Sequence, residues 1–128
     1  MENNLRVLIC DDSILIRKKL RETLEMFGCK EILEAENGNV AVEVVKASNP
    51  DLILMDIVMP DKDGIEALKE IKELQPNAKV VMASSVGTND LLKSAIKNGA
   101  YDFIQKPISH DAVQNILTKV LKEGSVNV

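Results

Sequence analysis

What most constrains this chain is an alternation. Five short runs, Val7 to Cys10, Ile32 to Ala35, Leu52 to Met55, Val80 to Ala83 and Phe103 to Gln105, take turns with five stretches whose apolar residues recur at helical spacing. The first, third and fourth runs are nearly continuous in Val, Leu, Ile and Met, as expected of strands buried on both faces in a parallel sheet. The second and fifth are mixed, with Glu34 in one and Gln105 beside Asp102 in the other, which suits edge positions. The intervening stripes are Ile16, Leu20, Leu24 and Phe27; Val40, Ala41, Val44 and Val45; Leu68, Ile71 and Leu74; Leu91, Leu92, Ala95 and Ile96; and Val113, Ile116, Leu117, Val120 and Leu121. Each predicts a helix with one face on the sheet. The fold class that follows is α/β: a doubly wound, five-stranded parallel sheet flanked by five helices with right-handed crossovers.

Local signals agree. Ser13, Thr88 and Ser109 are expected N-caps, while Gly28, Gly99 and Gly124 follow helical stretches as C-terminal caps do, the last of them four residues before Val128. A chain of 128 residues suits one domain spanning 1–128, and one Tyr, two Phe and no Trp leave its core to aliphatic side chains. A net charge of −4 argues against a nucleic-acid backbone as partner. The one basic run, Arg17, Lys18, Lys19 and Arg21, shares its helix with Glu22 and Glu25 and reads as a solvated face. The start "MENNLRVLIC" lacks the pattern of a signal peptide and no run reaches membrane-spanning length, so a cytoplasmic protein without a membrane partner is expected. Cys10 in a strand and Cys29 in a turn lack metal-ligand spacing and are expected to be reduced thiols, and His110 to be an exposed residue of a helix's first turn.

In a parallel α/β sheet the ligand site lies beyond the carboxyl ends of the strands, at a topological switch point. Chemistry-bearing residues stand there. The first run ends in Asp11 and Asp12, the third in Asp56, the fourth in Ser84 and Ser85, and the fifth in Lys106 followed by Pro107. Each acid alone has a plain structural explanation, as a helix cap or a strand end. Acids at two strand ends with Ser84 and Lys106 at two more are poorly explained by coincidence. Carboxylates brought within about 4 Å of one another repel by roughly 4 kcal/mol per pair at an effective dielectric near 20, so they call for protons or a cation. An all-oxygen acidic site fits a hard ion such as Mg²⁺. With Lys106 as a fixed positive charge and Ser84 as a donor, the set can receive a phosphoryl group attacked by a carboxylate. Asp56, alone on the central strand, is the better nucleophile, and the adjacent Asp11 and Asp12 look like a cation-holding pair.

These motifs, "VLICDD", "LILMDIVMPDKDG", "VVMASS" and "GAYDFIQKP", occur in order at suitable separations, and in them the chain resembles the receiver domains of two-component response regulators, especially the single-domain chemotaxis regulators. The resemblance covers essentially the whole chain. It implies a flavodoxin-like strand order 2-1-3-4-5 and Asp56 as phosphoacceptor. It further implies Mg²⁺ held by Asp12, Asp56 and the Val58 carbonyl, with Asp11 acting through water. Ser84 and Lys106 would contact the phosphoryl oxygens, with the Ser85 backbone contributing, and the Lys106–Pro107 bond would be cis. Pro60 and Gly64 fit the loop after the phosphoacceptor, Pro stiffening it and Gly permitting a left-handed turn. Phe103 matches the aromatic switch position that responds as Ser84 moves, here without a tyrosine hydroxyl. Val58 and Val86 stand where some relatives carry polar groups that position hydrolytic water, which implies slow loss of the phosphoryl group.

The implied function is a phosphorylation-dependent switch with no output domain, not an enzyme beyond its own phosphorylation and slow autodephosphorylation. Its partners would be a histidine kinase or phosphotransfer protein, approaching Ile14 and Leu15, and a downstream protein bound through the fourth helix, fifth strand and fifth helix. Chemotaxis is the first expectation, with a phosphorelay or another stand-alone regulator as alternative. An aspartyl phosphohydrolase of the haloacid dehalogenase kind needs Asp-x-Asp after the first strand, where this chain has "CDDSI". A flavodoxin-like electron carrier needs a Ser/Thr-rich phosphate loop there, and Asp11 and Asp12 would repel a flavin phosphate.

Overall fold

The computed structural model describes residues 3–59, 62–85 and 89–126, so the readings of Pro60, Val86 and Thr88 lie outside the described residues. The strands are β1 (Asn3–Cys10), β2 (Cys29–Ala35), β3 (Leu52–Asp56), β4 (Lys79–Ser84) and β5 (Asp102–Gln105). The helices are α1 (Ile14–Met26), α2 (Gly38–Ser48), α3 (Gly64–Leu74), α4 (Asn89–Lys97) and α5 (His110–Val126). All strand pairs are parallel, in the order β2-β1-β3-β4-β5, so the two mixed runs are the edges, as their composition predicts.

The strict period of two along the central strands divides the interior into two cores. Leu8 and Cys10 of β1, Ile53 and Met55 of β3, and Val80 and Met82 of β4 face Ala41 and Val45 of α2, Ala67, Leu68 and Ile71 of α3, and Ala95 of α4. Their neighbours Val7, Ile9, Leu52, Leu54 and Val81 face Leu20 and Leu24 of α1 and Val113, Ile116, Leu117 and Val120 of α5. Every residue of β3 is buried, which is why Leu52 to Met55 reads as an unbroken apolar run.

Strands β1 and β2 begin at Asn3 and Cys29, earlier than their apolar runs. Side chains such as Asn4, Lys30 and Glu31 stay exposed while their backbones pair, so hydrophobicity does not mark these ends. Cys29 is therefore a buried strand residue instead of a turn residue, held beside Asn3, whose N–H donates to the Gly28 carbonyl at 3.0 Å. Gly28 and Gly99 adopt φ of 89° and 96°, the left-handed geometry expected after a helix, and Asn49 does the same at φ 52° after α2. Gly124 does not cap: α5 runs through it to Val126, and a glycine inside a helix costs only about 1 kcal/mol against alanine. Ser13 caps α1 by accepting from the Ile16 N–H at 3.2 Å, and Ser109 accepts from the Ala112 N–H at 3.1 Å. Leu74 and Ile96 leave the predicted stripes and are exposed. Leu74 is the last residue of α3, and Ile96 lies about 100° around α4 from the fully buried Ala95.

Truncating a side chain shared by one core leaves a cavity the sheet cannot collapse. Ile53→Ala is expected to lower unfolding stability by about 2–5 kcal/mol, read by urea denaturation as a lower midpoint with an unchanged slope.

Candidate functional site

Because β1, β3, β4 and β5 are consecutive neighbours, their carboxyl ends form one rim. In register, Cys10 pairs with Met55, Asp56 with Ala83, and Ser84 with Gln105, so the residues just past these pairs meet. One carboxylate oxygen from each of Asp11, Asp12 and Asp56 lies within 4.8 Å of the other two. Asp11 and Asp56 are buried at 2% and 8% exposure, whereas Asp12 is exposed to solvent. Lys106 reaches across the rim: its Nζ donates to Asp11 Oδ2 at 2.7 Å and lies 3.1 Å from Asp56 Oδ2. Its backbone N–H donates to the Ser84 carbonyl at 2.9 Å, and the Lys106–Pro107 peptide is cis. Ser84, at 1% exposure, ends β4 on the same rim, and Ser85 beside it is exposed.

The electrostatics follow from this packing. Burial raises the Asp56 carboxyl above its ordinary range, Lys106 pulls it back through charge and hydrogen bond, and Asp11 adds to the rise. Burial pulls the Lys106 ammonium down, but its hydrogen bond to Asp11 and the charges of Asp11 and Asp56 outweigh this and raise it. Below the rim, burial and then the charges of Asp11 and Asp56 push the Cys10 thiol up to about 12, so it is an inert core residue. Three carboxyl groups face one ammonium. With oxygen donors only, the set fits a hard divalent cation.

The loop after Asp56 is shaped for close approach. Gly64 has no positive φ, contrary to the left-handed turn expected of it. Its role is space: a Cβ there would sit 2.3 Å from the Asp56 carbonyl oxygen and 2.7 Å from the Ile57 Cα. The Gly64 N–H donates to the Ile57 carbonyl at 2.7 Å and Asp63 caps α3, folding the loop back under the site. The Val58 N–H donates to Asp56 Oδ1 at 3.4 Å while its side chain is 67% exposed. Ile14 and Leu15 are also exposed, at 75% and 63%, so neither is a core residue. Phe103 is half-buried and packs against the core that includes Met82 and Ala95. His110 is exposed at the start of α5, as expected, with its ring edge-on to Phe27.

One part of the site escapes the sequence reading. The basic run on α1 is a fully solvated face only at Lys18 and Lys19; Arg17 and Arg21 are half-buried and turn toward β2. Both guanidinium groups pair with Glu34 of β2, at 3.0 and 2.8 Å, and Arg17 also donates to the Asp11 carbonyl at 2.7 Å. The available signal was spacing: Arg17 follows Asp11 by six residues, with Ser13 as the helix cap between them, which returns its side chain toward the strand end.

The family model for the response regulator receiver domain matches residues 7–118. This chain belongs to that family. It is 44% identical over 116 residues to the chemotaxis protein CheY of Bacillus subtilis, covering 91% of this chain and 97% of that protein. It is 46% identical over 117 residues to CheY of Halobacterium salinarum, covering 91% and 96%. Among solved structures, Vibrio cholerae CheY4 superposes with a TM-score of 0.85 at 25% identity, covering 92% of this chain and 99% of that one. The chain is thus a receiver, a phosphorylation-dependent signalling protein with the flavodoxin-like fold.

The raised Asp56 has a consequence for stability. Between its ordinary value near 3.8 and its raised folded value, the native state binds more protons than the unfolded state, so stability falls as pH rises through that interval. Asp56→Asn is expected to raise stability at pH 7, since relief of desolvation and of repulsion from Asp11 exceeds the lost attraction to Lys106. Urea titrations at pH 4 and pH 7 check this, and the variant's advantage should shrink at the lower pH.

Proposed function

We propose that Asp56 accepts a phosphoryl group from a phosphohistidine donor and that the modified receiver acts through protein contacts. The observation that carries this reading is Lys106 spanning Asp11 and Asp56 beside Asp12, an arrangement that sets a nucleophilic carboxylate next to a fixed cation. In the transfer, an Asp56 oxygen forms a P–O bond as the P–N bond to the donor imidazole breaks, and the imidazole keeps the electron pair. Lys106 is close enough to pair with a phosphoryl oxygen, with Ser84 and the Ser85 backbone as further contacts. Asp11, Asp12, Asp56 and the Val58 carbonyl would hold Mg²⁺, which when bound neutralises charge on the phosphoryl oxygens.

Exposed Ile14, Leu15 and Val58 flank the acidic cluster and supply an apolar landing for a kinase or phosphotransfer protein. Phosphorylation would bias Ser84 and Phe103, and through them the surface of α4, β5 and α5, where Ile96 is 63% exposed. Identity to CheY proteins over nearly their whole length favours a single receiver unit in chemotaxis. None of the helices is long and apolar enough to cross a membrane among the described residues, and a cytoplasmic place fits the partners proposed.

Incubation with acetyl phosphate and Mg²⁺, followed by intact mass measurement, is expected to add one phosphoryl group. The adduct should vanish in Asp56→Asn and without metal, and decay slowly without a phosphatase because the Val58 side chain offers no polar group to position water. An adduct retained in Asp56→Asn would overturn the assignment of Asp56, and decay as fast as in the most short-lived receivers would overturn the account of its lifetime.

A further inference from the structure

We propose that Arg17, held by Glu34, is a positioning residue that fixes the Asp11–Asp12 segment and thereby sets the affinity of the acidic cluster for a divalent cation. The inference rests on reading that cluster as a Mg²⁺ site. The last bond between β1 and β2 is the Asp11 N–H donating to the Ala35 carbonyl at 3.1 Å; beyond it the chain leaves the sheet. The Asp11 side chain is tied at both oxygens, to the Ser13 N–H at 2.9 Å and to Lys106 at 2.7 Å. Its carbonyl is taken by Arg17 Nη1 at 2.7 Å. That carbonyl belongs to the peptide leading into Asp12, so the bond fixes the direction from which the exposed Asp12 carboxylate reaches the cluster.

Arg17 is itself held. Its side chain is 14% exposed, its backbone N–H donates to the Ser13 carbonyl at 3.0 Å, and its Nε meets Glu34 Oε1 at 3.0 Å. The other Glu34 oxygen takes Arg21 Nε at 2.8 Å, and Arg21 Nη2 donates to the Ile32 carbonyl at 3.0 Å. The Arg21 hydrogen bond, with that of Arg17, keeps the Glu34 carboxyl below the usual carboxylate range. A guanidinium supplies two directed N–H groups from one rigid plane, which a lysine ammonium on a flexible stem does not. Groups that orient metal ligands in this way typically affect affinity by about tenfold or more.

The sign of the effect separates positioning from charge. Arg17 is a cation near a cation site, so if its influence were electrostatic alone, removing it would tighten Mg²⁺ binding. Positioning predicts the reverse. MgCl₂ titrations followed by ¹⁵N–¹H correlation spectra on wild type, Arg17→Gln, Arg17→Lys and Glu34→Gln, with urea unfolding of each, make the test. The expected result is a Kd about tenfold weaker in both Arg17 variants and several-fold weaker in Glu34→Gln, with native spectra away from the site. A lower urea midpoint with unchanged or tightened Mg²⁺ binding would overturn the proposal. Should Arg17→Gln fail to fold, Arg17→Lys decides: it keeps the charge, so charge alone predicts unchanged Mg²⁺ binding and positioning predicts weaker binding. A wild type whose Asp11, Asp12 and Asp56 signals ignore MgCl₂ would instead overturn the metal reading on which the inference stands.

Discussion

The rest of the site depends on one ion-paired constraint: a single ammonium, Lys106 Nζ, lies between two buried carboxylates from different strands. Asp11 and Asp56 stand at the ends of adjacent strands whose apolar bodies are buried on both sides, so neither can turn away to water without pulling strand ends out of the sheet. An ammonium from β5's end satisfies part of that charge and leaves the remainder for a cation. The same burial makes the site electrostatically costly, and the phosphoryl group proposed for Asp56 would change the balance at Lys106 and Asp11 together.

Two cores serve this arrangement differently. The core over α2, α3 and α4 includes Ile57 and Met59 from the loop after Asp56, together with Ala95, and Phe103 packs against it. The loop after Asp56 and the proposed signalling surface therefore share one packed layer. The core over α1 and α5 is built on Val7, Ile9, Leu52 and Leu54 and backs the face that carries the Arg17–Glu34 contacts. Close packing has little tolerance for intermediate positions, so the shift proposed at the rim would be carried through the first layer as a change of arrangement.

Gly64 and Glu34 mark where sequence reading succeeds in position and fails in mechanism. Gly64 stands out in the text of the loop, but a turn with positive φ and a site of close backbone approach both favour glycine, and only coordinates separate them. Glu34 identifies an edge strand by its polarity, and the reading stops there. Its two arginine partners come from α1, and the pairing exists only because that helix lies against β2.

By itself the sequence determined the alternation of elements, the two edge strands, the glycine stops at Gly28 and Gly99, and the placing of Asp11, Asp12, Asp56, Ser84 and Lys106 at strand ends. These follow from local periodicity and from the rule that parallel strands share a carboxyl rim. Tertiary structure alone decided the strand ends of β1 and β2, the burial of Cys29, the exposure of Leu74 and Ile96, the continuation of α5 through Gly124, and the inward turn of Arg17. In each case the deciding quantity is a contact between elements distant in sequence. A hydrophobic pattern records which residues prefer to be buried, and the partner that buries or pairs them is chosen by the packing of the whole chain.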